Sequence, residues 1–245
     1  MIKFDGLEKR FGKDTVVDHI QFTVEQGELF GFIGPNGAGK STTIKMMMGL
    51  TPPSSGTVKI GNLDILSERV AVNRIVGYVP DQPNFPKLMT GLEILTLMGE
   101  MHGLSPKEAQ QKVEQLTKHP LFTFSNEYTT KYSLGIKKRL AIACALIHAP
   151  KYLLLDEPMI GLDPRATRDV EELLTQFVWD GGTVFLSSHS LDIVESICSR
   201  VAVIDQGKIL AVGSTNELRD QLGMDGDLTS LFLNLTHDSN QKRAR

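Results

Sequence analysis

The stretch Leu29-Phe30-Gly31-Phe32-Ile33-Gly34-Pro35-Asn36-Gly37-Ala38-Gly39-Lys40-Ser41-Thr42 decides the fold class. Its first half is an apolar run of strand length, typical of a strand buried on both faces. The second half fits the pattern G-x-x-x-x-G-K-[ST], and residues 40–48 are predicted to form a helix. Glycines let backbone N–H groups turn inward around a phosphate, and the helix N-terminus adds its positive dipole end. The strand, loop and helix together predict a phosphate-binding loop.

Two side chains of this loop carry chemistry. Lys40 is expected to place a positive charge near the β- and γ-phosphates of a nucleotide, and Ser41 to offer a hydroxyl to Mg²⁺. The spacing is not G-x-G-x-x-G, which disfavours a nicotinamide-binding Rossmann fold. The alternative is a glycine-rich turn with an exposed lysine, and the flanking strand and helix disfavour it.

Two carboxylates end a second apolar strand, predicted over residues 152–155. Asp156 stands where a Walker B aspartate holds Mg²⁺ through water. Glu157 is a candidate general base for the attacking water. Because successive side chains of a strand point opposite ways, the two acids are expected to have separate tasks. The alternative is a charged strand end before a turn at Pro158.

A histidine follows a third such strand, in Val184-Phe185-Leu186-Ser187-Ser188-His189. A lone histidine is more often structural than functional. Ligands of α/β sheets, however, bind at the carboxyl ends of the strands. We therefore expect His189 to contact a γ-phosphate.

Apolar strands alternate with predicted helices along the chain, which favours an α/β fold with a mainly parallel sheet. The first thirty residues are predicted to form short antiparallel strands. Helical periodicity from about residue 89 to 149 predicts a helical subdomain inserted between two strands of the sheet. From Asp225 onward the polar sequence, ending Lys242-Arg243-Ala244-Arg245, predicts a loosely ordered tail. The predicted organisation is one domain over residues 1–220 and a C-terminal tail over 221–245.

Composition narrows the function classes. The 245 residues suit one large domain with an inserted subdomain, and the net charge of −3 argues against a general nucleic-acid binder. Cys144 and Cys198 are too few for a disulfide framework and are expected to be buried structural thiols. No signal peptide or membrane-spanning run is visible, which predicts a soluble cytoplasmic chain. None of this excludes a membrane-bound partner.

Taken together, the motifs resemble the ATP-binding subunit of ATP-binding cassette (ABC) transporters over about residues 2–220, in particular that of bacterial exporter (ABC-2 type) systems. The resemblance implies a P-loop NTPase fold: a RecA-like, mainly parallel sheet with an N-terminal antiparallel β subdomain and an inserted α-helical subdomain. It also implies that Gln82 contacts Mg²⁺ and the attacking water, that His189 is the switch histidine, and that Phe11 stacks on adenine. Gly161-Leu162-Asp163 resembles the D-loop.

The segment Tyr132-Ser133-Leu134-Gly135-Ile136-Lys137-Lys138-Arg139 occupies the place of the family signature Leu-Ser-Gly-Gly-Gln. Ser133 and Gly135 are kept, whereas Leu134 and Ile136 replace a glycine and the glutamine. The resemblance implies that Ser133 and the Gly135 backbone cap a γ-phosphate presented by a second subunit. Ile160 stands where the D-loop commonly has serine.

The function implied by the resemblance is ATP hydrolysis with Mg²⁺ in a head-to-tail homodimer, or in a dimer with a similar ATPase. A separate permease in the membrane would use it to move a substrate, and the divergent signature favours export. The chain would then lie on the cytoplasmic face of the cell membrane and bind no nucleic acid. Residues 85–104 would either pack in the core or form a groove for a permease helix. The alternative function is a non-transport ABC-type ATPase, such as a soluble regulatory, translation or repair factor.

Overall fold

The structure, a computed structural model, describes residues 1–222 and 227–241. The strands are β1 (Ile2–Phe11), β2 (Asp14–Val24), β3 (Leu29–Ile33), β4 (Ser55–Ile60), β5 (Leu63–Asp64), β6 (Val76–Val79), β7 (Tyr152–Asp156), β8 (Thr183–Ser188), β9 (Arg200–Asp205) and β10 (Lys208–Gly213). The helices are α1 (Lys40–Met47), α2 (Arg69–Ile75), α3 (Gly91–Met101), α4 (Pro106–Leu116), α5 (Leu134–Leu146), α6 (Pro164–Trp179), α7 (Leu191–Ile197), α8 (Thr215–Leu222) and α9 (Leu228–Gln241).

These strands form two sheets. The first is antiparallel, in the order β2-β1-β4-β5. The second has the order β10-β9-β3-β8-β7-β6 and is parallel except for β10. The predicted antiparallel start and mainly parallel sheet are confirmed.

A cluster of phenylalanines joins the two sheets. Phe4 stacks on Phe22 within the antiparallel sheet, with ring centroids 4.2 Å apart. Phe22 lies 5.6 Å from Phe30, and Phe30 lies 6.0 Å from Phe185. Offset aromatic contacts of this kind add to the apolar area that they bury. They fix β3, and with it the loop that follows β3, against the rest of the molecule.

The predicted helical subdomain is confirmed. Helices α3, α4 and α5 lie between β6 and β7, which are hydrogen-bonded neighbours in the parallel sheet. Capping boxes start the first two of these helices, formed by Thr90 with Glu93 and by Ser105 with Glu108. Ser133 accepts a hydrogen bond from the Ile136 N–H and so begins α5.

The expectation of a loosely ordered tail is wrong over residues 228–241, which form α9. Leu228 and Leu231 are fully buried against Val194 and Leu218, and Phe232 and Leu235 pack beside them. The spacing of these four α9 residues is i, i+3, i+4, i+7, which places them on one helix face. Burial of that face outweighs the polar composition of the segment. Asp225 and residues 242–245 lie outside the described residues.

Both cysteines are free thiols, as expected for structural residues. Cys144 is buried, and burial raises its pKa to about 12. Cys198 is half-buried and its thiol pKa is also raised by burial. Neither is a reactive thiolate near neutral pH. Over residues 1–222 and 227–241, no helix combines the length and apolar character needed to cross a bilayer.

Candidate active site

The loop between β3 and α1 closes around the Lys40 ammonium group. Lys40 is buried, and its Nζ donates to the carbonyl oxygens of Gly34 at 2.7 Å and Pro35 at 3.2 Å. Gly39 precedes the helix with φ of 109°, and a Cβ there would lie 2.7 Å from the Val16 carbonyl oxygen. Only glycine fits that position. The backbone therefore folds as a phosphate-binding loop, with the ammonium held inside it.

Asp156 ends β7 and is almost completely buried. Its Oδ1 accepts a hydrogen bond of 2.7 Å from Ser187 Oγ, at the paired position of the neighbouring strand β8. The bond orients the carboxylate. Burial raises the pKa of the nearby Tyr78 hydroxyl to about 12, and the negative charge of Asp156 adds to this shift.

Glu157 follows Asp156 and is held in position by contacts on both of its carboxylate oxygens. Oε2 accepts from His189, at 2.9 Å from Nδ1 and 3.3 Å from the backbone N–H. Oε1 lies 3.6 Å from Lys40 Nζ. The Glu157 backbone has φ of 50°, a left-handed conformation that is uncommon outside glycine. Strained backbone of this kind persists where surrounding contacts fix it, and it is frequent in active sites.

A cavity of about 450 Å³ brings several predicted site residues together. The predicted residues that line it are Asn36, Gly37, Gly39, Lys40, Ser41, Thr42, Glu157 and His189. Val16, Asp81 and Ile160 line it as well. Hence the phosphate-binding loop, the candidate base and the candidate switch histidine share one site.

Other predicted residues lie outside this lining. Phe11 is at the end of β1, 52% exposed, with Lys9 Nζ 4.9 Å from its ring centroid. Gln82 is exposed in the loop after β6, one residue beyond Asp81. Ser133 is exposed at the start of α5. A Cβ on Gly135 would lie 2.7 Å from the Gly161 carbonyl oxygen, so the signature backbone packs against the D-loop.

The donor set at the site fits Mg²⁺ bound together with a nucleotide. Among the described residues, no group of three or more His, Cys, Asp or Glu side chains is arranged to hold a metal alone. Magnesium at nucleotide sites takes one or two protein ligands, phosphate oxygens and water. The Ser41 hydroxyl, which lines the cavity, is a donor of this kind. Asp156 is not part of the lining, and its carboxylate fits a contact made through water.

Sequence reasoning missed two polar residues beside the site. Ser187 bonds Asp156, and the register of two parallel strands that are distant in sequence determines this pairing. Lys138 is fully buried, with its Nζ 2.8 Å from the Glu157 carbonyl oxygen. Lys138 stands in the run of charges Lys137-Lys138-Arg139, which resembles a solvated face, so no local signal separates it from its neighbours.

The sequence matches a known protein family and several curated relatives. The profile of the family described as "ABC transporter" matches residues 17–160. The linearmycin resistance ATP-binding protein LnrL of Bacillus subtilis is 36% identical over 92% of this chain and 73% of its own length. The daunorubicin/doxorubicin resistance ATP-binding protein DrrA of Streptomyces peucetius is 36% identical over 91% of this chain and 68% of its own length.

Solved structures show the same fold. The structure described as the ATP binding subunit of an ABC transporter covers 96% of this chain and 99% of its own, with TM-score 0.89 and 29% identity. The MJ0796 cassette, a dimer bound to ADP and Pi, covers 87% of this chain and 98% of its own, with TM-score 0.80 and 25% identity. The P-loop NTPase fold, with an antiparallel N-terminal β subdomain and a mainly parallel sheet, is thus confirmed. The chain belongs to the ABC transporter family, as an ATP-hydrolysing ATP-binding subunit related to those of bacterial drug and antibiotic exporters.

Proposed function

We infer that this chain hydrolyses Mg²⁺-ATP in a head-to-tail dimer and so drives export of a substrate through a separate permease. The observation that carries the proposal is the Glu157 carboxylate, held between His189 and Lys40 at the cavity lined by the phosphate-binding loop. A carboxylate in that position is placed to polarise a water molecule for attack on a γ-phosphate.

In this proposal the chain binds the nucleotide through the loop from Gly34 to Thr42. Lys40 and the backbone N–H groups neutralise charge on the phosphates. The residues that would hold Mg²⁺ are Ser41 and Gln82, with Asp156 acting through water. Bound Mg²⁺ supplies charge neutralisation for the transferred phosphoryl group.

His189 and Glu157 then act as a pair. The 2.9 Å contact between His189 Nδ1 and Glu157 Oε2 orients both side chains. Glu157 accepts a proton from the attacking water, and the other ring nitrogen of His189 is free to face the γ-phosphate. The side chain of His189 is 51% exposed, which allows such a contact.

The dimer rests on residues that the cavity of one chain does not use. Ser133 is exposed at the N-terminus of α5, where it suits a γ-phosphate held by another subunit. Phe11 is exposed at the end of β1 and suits an adenine ring. The dimeric MJ0796 cassette structures support this arrangement. ATP bound between two chains favours the closed dimer, because only the closed state makes both sets of contacts.

The permease is proposed to dock on the helical subdomain. For residues 85–104 we expected either packing in the core or a groove for a permease helix, and the segment does some of each. Met89 and Met98 pack against the core, whereas Leu88 and Met101 are 78% and 72% exposed. Exposed apolar residues on this segment suit a partner helix. The names of the related resistance ATP-binding proteins favour export. This partner would place the chain on the cytoplasmic face of the membrane, without nucleic acid.

The decisive experiment compares Glu157→Gln with Glu172→Gln, a matched change at an exposed position of α6. The first variant should keep ATP affinity, lose about 10²- to 10⁴-fold in turnover, and accumulate as an ATP-bound dimer on gel filtration. The second should match the unaltered protein. Normal turnover in Glu157→Gln would show that Glu157 is not the general base.

The transport partner needs a separate test. Tagged protein purified from solubilised membranes should bring a permease with it, identified by mass spectrometry. Recovery of an active ATPase without any membrane protein would favour the non-transport alternative.

A further inference from the structure

Lys138 places a positive charge in the interior of the protein. The residue lies on α5, in the helical subdomain, and its side chain is completely buried. Burial lowers the pKa of its ammonium group, while the carboxylates of Asp81, Asp156 and Glu157 oppose that shift. A buried charge is costly unless its hydrogen-bonding groups are satisfied.

The ammonium group of Lys138 is satisfied almost entirely by backbone. Its Nζ donates to the carbonyl oxygens of Glu157 at 2.8 Å, Pro80 at 3.3 Å and Asp156 at 3.5 Å. The carboxylate oxygen Asp81 Oδ1 is farther away than these carbonyl oxygens, at 3.7 Å, and its side chain is half-exposed. A methionine would fill the same space without the cost of burying a charge. The geometry therefore uses the charge of Lys138 to hold backbone rather than to pair with one acid.

The backbone held in this way belongs to two motif segments. Pro80 lies two residues before Gln82, and Asp156 and Glu157 are the last residue of β7 and the residue after it. Lys138 itself follows the signature on α5. The carbonyl of Glu157 is the closest of the three contacts. One side chain from the helical subdomain thus reaches both the loop before Gln82 and the candidate base.

The contact to Glu157 acts on a strained residue. Its N–H donates to the Ser187 carbonyl oxygen and hydroxyl, both at 3.2 Å, and its carbonyl accepts from Lys138. Together these bonds fix the peptide groups on both sides of the left-handed conformation. The Glu157 carbonyl also accepts from the Ile160 N–H at 3.4 Å, so Lys138 makes the shorter of its two hydrogen bonds. Without the Lys138 bond the strained φ of Glu157 is held less firmly. Because rotation about the N–Cα bond moves the carbonyl and the side chain together, we expect the carboxylate then to turn away from His189.

We propose that Lys138 is a positioning residue: it ties the signature helix and the segment before Gln82 to the Glu157 backbone, so that the carboxylate is held for attack only while the helical subdomain is docked on the sheet. The inference rests on the proposed function, since it assigns a role to Glu157 as base. It assigns to Lys138 no contact with ATP, so nucleotide affinity is expected to be independent of it.

The test compares Lys138→Met with Lys137→Met, the same change at the neighbouring position of α5, which is half-buried and outside the cavity lining. Lys138→Met should lower kcat at least tenfold while the KM for ATP stays within threefold. Lys137→Met should change neither by more than twofold. A second variant, Lys138→Gln, keeps an NH₂ group with two N–H donors but no charge, and it should lose less turnover than the methionine variant. If the methionine variant does not fold, the glutamine variant is judged by the same separation of kcat from KM.

A double variant separates positioning from a general structural role. If Lys138 acts through Glu157, adding Lys138→Met to Glu157→Gln should change single-turnover hydrolysis by less than twofold. A further tenfold loss in that background would overturn the proposal, as would a rise in KM proportional to the loss of kcat. Full activity of Lys138→Met beside an inactive Glu157→Gln would overturn this proposal alone. Full activity of Glu157→Gln would overturn the proposed function itself.

Discussion

Ser187 Oγ donates a hydrogen bond of 2.7 Å to Asp156 Oδ1 across the neighbouring strands β8 and β7. Both side chains are buried, so the bond is shielded from water and no solvent molecule replaces it when it is lost. The strand ends that carry the site are therefore coupled through side chains as well as through the backbone ladder.

Removing this hydroxyl should weaken the response to Mg²⁺. In Ser187→Ala the Asp156 carboxylate loses a partner, and we expect ATPase activity to need about tenfold more Mg²⁺ for half-saturation. Stability to urea should fall by about 1 to 3 kcal/mol, the usual cost of leaving a buried hydrogen-bonding group unsatisfied. Ser190→Ala, nearby but without a contact to Asp156, is the control. An unchanged Mg²⁺ titration would show that the orientation of Asp156 does not depend on Ser187.

Phe11 should contribute to ATP affinity and little to stability. Its ring is 52% exposed, so Phe11→Ala removes little buried surface. Stacking of a base on an aromatic ring is worth about 1 to 3 kcal/mol, which predicts a rise of about 5- to 150-fold in the KM for ATP. Phe11→Trp should keep the affinity. Equal KM values for the alanine variant and the unaltered protein would show that Phe11 does not stack on adenine.

The C-terminal helix should contribute to global stability. Leu231→Ala empties a fully buried position of α9 and should cost about 2 to 5 kcal/mol in the free energy of unfolding. Leu233→Ala, on the same helix but 59% exposed, should change it by less than about 0.5 kcal/mol. Urea denaturation followed by circular dichroism measures both. Similar values for the two variants would mean that α9 does not pack on α7 in solution.

Stability should fall in mild acid because of a buried histidine. The rings of His148 and His102 stack with centroids 3.8 Å apart, and burial lowers the pKa of His148 to about 4. In an unfolded chain, histidine has a pKa of about 6.5. Between these values the unfolded chain binds a proton that the folded chain does not, so stability is lost as the pH falls through this window. Above it, the ring is neutral in both states and has no effect.

The size of this effect is modest because His148 is only half-buried. Allowing for solvent screening, we expect about 1 kcal/mol less stability at pH 5 than at pH 7 from this ring. The titratable groups around its cavity are His102, Tyr78 and Cys144. The pKa of His102 is also lowered by burial and acts in the same direction, whereas the raised values of the other two lie far above this range. In His148→Phe, the free energy of unfolding measured by urea denaturation should differ less between pH 5 and pH 7 than in the unaltered protein. A variant as acid-sensitive as the unaltered protein would contradict this account.

Local sequence signals predicted most of the fold and much of the site. The phosphate-binding loop and the carboxylates after β7 could be recognised because an apolar run and the polar residues that follow it are contiguous. The capping contacts of Ser105 with Glu108 and of Ser214 with Glu217 are local in the same way, because the pattern S-x-x-E is contiguous in sequence. Each of these features depends on a few neighbouring residues.

The features that sequence reasoning missed depend on distance or on a pattern hidden by composition. The bond between Ser187 and Asp156 requires the register of two strands. The contact of Lys138 with Glu157 requires the packing of α5 against the end of β7. The α9 helix carries its apolar residues as a narrow stripe, so an average over the segment reads as polar although one face is apolar.

The place of the helical subdomain has a consequence for how such a chain can change over evolution. Strands β6 and β7 pair directly, from Val76 with Tyr152 to Val79 with Leu155, so the sheet keeps its ladder whatever length of chain joins them. Substitutions at exposed positions of α3 and α4 can accumulate without disturbing the strand ends that carry the site. A lineage can therefore remodel the face that it offers to another protein while it inherits its chemistry unaltered.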